Sequence, residues 1–169
     1  MKNSLSLGLA AISVFSAFSV VAAEPKAAPA PNGITLPEGY KNWRLIAPSY
    51  RSDKNHIRAI LGNDIAIEAA RSGKTNPWPD GTILAKLVWK NKVDENFPVA
   101  TVPGDFVHAE FMVKDAKKYS TTAGWGFGRW LGMEQKVYGK DANFAQECVA
   151  CHTPVKMQDY VFTKPAQLP

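Results

Sequence analysis

Residues 141–152 read DANFAQECVACH and end in Cys148-Val149-Ala150-Cys151-His152. The last five residues spell C-x-x-C-H, the attachment signature of c-type haem. Two thiols three positions apart fall on one face of a helical turn, where they add across the two vinyl groups of a porphyrin. His152 follows at once and is placed under the iron as its proximal ligand. Asp141 supplies cap chemistry for a short helix running from Asp141 to Cys151. Competing readings of the pair are a structural disulfide, a redox pair, or half of a zinc site. Zinc needs two more ligands, and only His56 and His108 remain to supply imidazoles.

Upstream of this helix the pattern belongs to strands. Asn42 to Tyr50 (NWRLIAPSY) and His56 to Leu61 (HIRAIL) are short apolar and aromatic runs. Gly62-Asn63-Asp64 then offers turn and cap residues for a two-turn helix over Ile65 to Arg71, stopped at Gly73. Asn76 to Gly81 (NPWPDG) is a turn, and Thr82 to Lys90 (TILAKLVWK) is the clearest strand. Asn91 to Asp105 reads as a loop, Phe106 to Val113 (FVHAEFMV) as a strand, and Lys114 to Lys118 as a charged turn. In Gly124 to Leu131 (GWGFGRWL) strand geometry puts the glycines on one face and Trp125, Phe127 and Arg129 on the other. Such glycines admit a close neighbour: a porphyrin lying flat on them, a bulge, or ordinary packing. Strands first and a haem-bearing helix last give an α+β fold with a mainly antiparallel sheet and a few short helices.

The ends and the composition set the context. Met1-Lys2, an apolar stretch from Leu5 to Val21, and Val21-Ala22-Ala23 make a secretory signal peptide over residues 1–23. An uncleaved membrane anchor is the alternative, weakened by the interrupting serines and the small-residue site. Residues 24–33 open with EPKAAPAP, the composition of a disordered tether, and residues 34–169 form one domain. Export places the chain in the periplasm, which suits thioether attachment outside the cytoplasm. The formal charge of +5 is scattered rather than clustered, so no nucleic-acid partner is expected. Haem propionates offset part of that charge.

Ordinary electron-transfer cytochromes c carry the motif early and recruit a distant downstream Met. Here the motif is late, and the one downstream Met, Met157, lies on the proximal side. Met112, Met133 and His108 are the upstream alternatives for a sixth ligand. An open sixth position, suited to binding a small molecule, is the expected state. A late motif on a helical bundle suggests cytochrome c′, but this body is strand-rich.

From about Tyr40 to Lys164, through NWRLIAPSY, PWPDGTILAKLVWK, HAEFMVKDAKKY, GWGFGRW and CVACH, the chain resembles the cytochrome P-460 family. The resemblance implies an antiparallel sheet, haem c, and either of two activities. Enzymatic members oxidise hydroxylamine and link a lysine to the porphyrin edge. Their relatives, the cytochromes c′-beta, lack the link and bind nitric oxide at an open iron. A periplasmic redox partner and a homodimer are further implications.

Lys86 stands in TILAKLVWK with Leu84 and Val88 on its own face and apolar residues on the other. A lysine there must snorkel, find a partner, or act as a nucleophile. The resemblance implies that it is the linking lysine, in its D-G-T-x-x-x-K setting. Glu110 shares a strand face with Phe106, His108 and Met112. Burial there raises a carboxylate pKa and suits it to accept protons, a role the family gives to a distal carboxylate. Arg129 and Arg44 are candidates for bidentate pairing with the haem propionates.

Overall fold

The computed structural model describes residues 26–169, and the leader expected over residues 1–23 lies outside the described residues. Six strands pair only with their chain neighbours, all antiparallel, in the order β1-β2-β3-β4-β5-β6. They are β1 (Arg44–Arg51), β2 (His56–Gly62), β3 (Ile83–Val93), β4 (Thr101–Lys114), β5 (Trp125–Leu131) and β6 (Lys136–Val137). The helices are α1 (Asp64–Ser72), between β2 and β3, and α2 (Phe144–His152), after β6. No helix among the described residues is long and apolar enough to cross a membrane. The fold is α+β, as the succession of strands and late helix implies.

Local chemistry explains the element ends. Asn63 caps α1 by accepting from the Ala66 amide at 3.1 Å, and its side chain also bonds Ile83 N–H and the Gly81 carbonyl, tying the helix to β3. Gly73 closes the helix in the left-handed conformation, φ 72°. Pro48 is tolerated within β1 because β1 is an edge strand. The chain end covers part of that edge, the Ala166 amide donating to the Ile46 carbonyl at 2.9 Å.

Two expectations are corrected, and a third, left open, is decided. The β3–β4 ladder continues through Asn91↔Pro103, Lys92↔Val102 and Val93↔Thr101, so only the middle of the expected 91–105 loop is a turn. Exposure of this hairpin end removes the apolar alternation that marks a half-buried strand. Secondly, the described part of the expected tether is packed. Ala30 is buried, Trp130 Nε1 donates to the Ala28 carbonyl at 2.9 Å, and Asn32 Nδ2 donates to the Phe127 carbonyl at 2.8 Å. Thirdly, of the three readings left open for the β5 glycines, Gly126 and Gly128 take ordinary packing, against Ile34, Tyr119 and Trp130. A Cβ at Gly126 would lie 2.7 Å from Ile34 Cδ1 and 2.5 Å from the Tyr119 ring.

The sheet therefore carries a core on each face. One joins Ala85, Ala109, Phe111 and Trp130 to Ala30 and Ile34 of the strap that the tether forms, and to Tyr40. The other joins Ile46, Ile60, Leu84 and Phe127 to α1, Trp78 and the C-terminal segment. Phe111 is the hub of the first, meeting Tyr40, Trp43 and Trp130 edge to face at 5.2, 6.5 and 5.6 Å. Phe111→Ala is expected to cost about 3–5 kcal/mol of unfolding free energy. Val99→Ala, at an 84% exposed position, is expected to cost at most about 0.5 kcal/mol. Denaturant titration of the two purified variants checks the contrast.

Candidate haem site

Cys148, Cys151 and His152 all lie on α2. That helix starts at Phe144, later than expected, with Asn143 at its N-cap and no side-chain cap bond. Asp141 instead accepts from the Asn143 amide at 2.8 Å, shaping the turn before the helix. The cysteines are not bonded to each other. Burial pushes the Cys148 thiol up, the opposite of what a redox nucleophile needs. Among the described residues, no group of three or more His, Cys, Asp or Glu side chains could hold a metal ion, so a zinc half-site lacks its other half.

His152 is held on three sides. Its Nδ1 lies 2.6 Å from the Tyr160 carbonyl oxygen, and rings of Phe127 and Phe162 pack on it at 5.5 and 5.1 Å between centroids. A carbonyl only accepts, so Nδ1 carries the proton and the Nε2 lone pair is free for a metal. Burial lowers the imidazole pKa against the opposing pull of the Tyr160 carbonyl, which favours the neutral, ligating form.

These residues line a cavity of about 660 Å³ between α2, the C-terminal segment and one face of the sheet. The sheet contributes a transverse row in register: Ala47, Ile60, Lys86, Glu110 and Arg129, one from each of β1 to β5. Glu110 sits in the middle of the charged half. Lys86 Nζ pairs with one carboxylate oxygen and an Arg129 amino group with the other, while His108 Nε2 lies 3.5 Å away. Burial raises the Glu110 pKa, but Lys86 and Arg129 outweigh it and hold the group below its ordinary value. The expected upward shift is thus corrected: Glu110 is a buried base that stays ionised. Burial outweighs the same carboxylate at His108 and takes its pKa down to about 4.

Lys86 lies on an inner strand with its head on Glu110, so the snorkelling alternative does not describe it. Arg129 is on the cavity wall, with its guanidinium 4.6 Å over the Tyr138 ring. Arg44 is not: it pairs with Asp64 at 2.7 Å on the exposed start of α1, away from the cavity. The other cavity arginines are Arg51 and Arg58, which sequence reasoning passed over. Inward-facing His56, Arg58 and Ile60 share one parity in β2, but nothing in the letters says which parity faces in. Among the candidate sixth ligands, His108 contacts Glu110 off the cavity wall and Met133 is 77% exposed. Met112 lines the cavity, but as the cross-strand neighbour of Phe127 it is on the His152 side.

The chemistry of the wall fits an anionic porphyrin. Arg51, Arg58, Lys86, Arg129 and Lys164 face it against only Glu110 and Glu147. Ser49 Oγ, Arg58 Nε and Arg129 Nε are buried without a hydrogen-bond partner, and all three residues line the cavity. Burial, then the nearby charge of Arg51, lower the Arg58 pKa, as expected of a cationic pocket that awaits a counter-anion. Propionates would supply acceptors for these donors.

Residues 37–163 match the family model described as Cytochrome P460. The chain belongs to the cytochrome P460 family. It is accordingly a c-type haem protein of the P460 kind. A comparison with curated proteins gives no match.

The ionisation of the Glu110–His108 pair sets a pH dependence. Glu110 has a depressed folded pKa, so its contribution is present above the unfolded value and lost as pH falls through the folded one. His108 is also depressed, to about 4, so the unfolded chain binds more protons below about pH 6.5. The His108 term destabilises the fold as pH drops from about 6.5 to 4, and the Glu110 term adds to it only below about 4.5. His108→Gln is expected to flatten the upper part of that decline, as read by denaturation midpoints against pH.

Proposed function

We propose that this member of the family is an exported, periplasmic mono-haem cytochrome that oxidises hydroxylamine or a similar small nitrogen compound. Cys148 and Cys151 would hold the haem by thioether bonds, and His152 would bind its iron. The observation that carries the reading is the ionised Glu110 held inside the cavity by Lys86 and Arg129. Oxidising hydroxylamine releases protons with the electrons, and a buried carboxylate beside the substrate accepts them without waiting for bulk water.

When bound, the haem supplies an electron-accepting iron with room for a small ligand, and electrons leave to an external redox partner. The chain's own groups do the rest. Glu110 takes the proton. Arg129 keeps that carboxylate charged between turnovers, and Arg51, Arg58 and Ser49 hold the propionate end. Lys86 is the residue whose setting matches the family's linking lysine. A bond from Nζ to a porphyrin carbon would replace an N–H and a C–H, with the two electrons and two protons taken up by a two-electron oxidant such as a peroxide. It also ends the ammonium charge on Glu110, raising the carboxylate toward the pH range where proton transfer is efficient.

The same ion pair supports a second reading. A lysine satisfied by Glu110 needs no link, as in a c′-beta-like carrier of nitric oxide or an electron carrier. Intact mass separates them. The enzyme reading expects the mature chain plus haem minus two hydrogens, restored to chain plus haem in Lys86→Arg. An unlinked wild type with no hydroxylamine turnover decides for the carrier. Glu110→Gln is expected to lower kcat by about 10²–10⁴ while hydroxylamine still perturbs the optical spectrum. Unchanged turnover removes Glu110 from the mechanism.

A further inference from the structure

A buried ion pair lies behind His152 and away from the cavity. Lys114, the last residue of β4, and Asp159, just beyond the turn that follows α2, are only 7% and 10% exposed at their side chains. Lys114 Nζ reaches both Asp159 oxygens, at 2.7 and 2.9 Å, and lies 4.9 Å over the Trp125 ring. The Trp78 amide donates to Asp159 Oδ2 at 2.8 Å. Trp125 Nε1 donates to the Asp159 backbone carbonyl, also at 2.8 Å. Side chain and main chain of one residue are thus fixed from β4, β5 and the loop before β3.

This fixation falls next to a conformation that needs it. Asp159 and Tyr160 both have left-handed backbones, φ 50° and 62°. Consecutive left-handed residues bearing side chains are uncommon, and a tyrosine side chain, unlike that of Asn or Asp, offers the backbone no local hydrogen bond there. Such geometry persists where the surroundings over-determine it. Its consequence is the direction of the Tyr160 carbonyl, which accepts from His152 Nδ1 at 2.6 Å.

We propose that the Lys114–Asp159 pair is a positioning device for His152, setting ring orientation and the strength of the Nδ1–H bond through the Tyr160 carbonyl. Neither residue touches the cavity. Both act through another group, so they are positioning residues. The inference rests on the reading of His152 as the iron ligand. A strong Nδ1–H bond gives the imidazole more anionic character, which strengthens its donation and favours ferric iron.

Resonance Raman of the reduced holoprotein and its reduction potential test this together. Asp159→Asn and Lys114→Met are both expected to lower the iron–histidine stretching frequency and raise the potential. Lys114→Arg, which keeps the charge, is expected to stay near wild type. Asn76→Ala is the control, because Asn76 tethers the same segment through the Met157 carbonyl at 2.9 Å without touching Asp159. Its band is expected not to move. An unshifted band in Asp159→Asn or, should that variant not accumulate, in Lys114→Met overturns the proposal. So does an equal shift in Asn76→Ala, which would make tethering of the loop the cause. Absence of any iron–histidine band in the wild type overturns the ligand reading itself, and is distinguishable from both.

Discussion

A carboxylate inside a folded chain is costly unless positive charge and hydrogen bonds surround it, and the Glu110 site is organised by that requirement. Glu110 lies mid-sheet, and its compensation comes from its two cross-strand neighbours, Lys86 on β3 and Arg129 on β5. Because strand pairs are in register, one slip of β4 would turn Glu110 to the strap side and leave both cations unpaired. The hydrophobic alternation of β3 to β5 and the charge triad thus enforce the same alignment. The cavity inherits from it a base that is buried and still ionised.

The opposite wall is built by different means. Helix α2 presents the two thiols and the imidazole, while the left-handed turn at Asp159 and Tyr160 fixes how the imidazole points. Aromatic rings of Phe127 and Phe162 close around it. On the proposed function, the sheet would govern proton chemistry, and the helix with its following turn would govern the iron. Between them, the unpaired donors of Ser49, Arg58 and Arg129 mark where anionic groups belong.

Much of this was readable in the letters where local chemistry decides the outcome. Asn63 and Gly73 bound α1, the C-x-x-C-H spacing falls on one helix, and an isolated Lys86 in an apolar strand announced a charge that needs a partner. Glu110 was found by strand parity, but its ionisation was misread because its partners are set by register rather than by sequence distance. Arg44 and Arg58 look alike as letters; the packing of β1 against α1 sends the first to Asp64, and the cavity-facing parity of β2 sends the second to the cavity. The strap at Ala28 to Ile34 has the composition of a tether, since small residues serve flexibility and close packing equally well. Lys114 and Asp159 are 45 residues apart and carry no pattern that joins them.

One haem is expected between these walls, held from one side and open on the other toward Glu110. Anomalous scattering at the iron edge from crystals of the purified, pigmented protein tests it most directly. The account predicts a single iron peak bonded to His152 Nε2, a porphyrin continuous with Cys148 and Cys151, and the Glu110 carboxylate facing the open side. An iron bonded on both sides by protein groups, or lying outside the cavity, would contradict it.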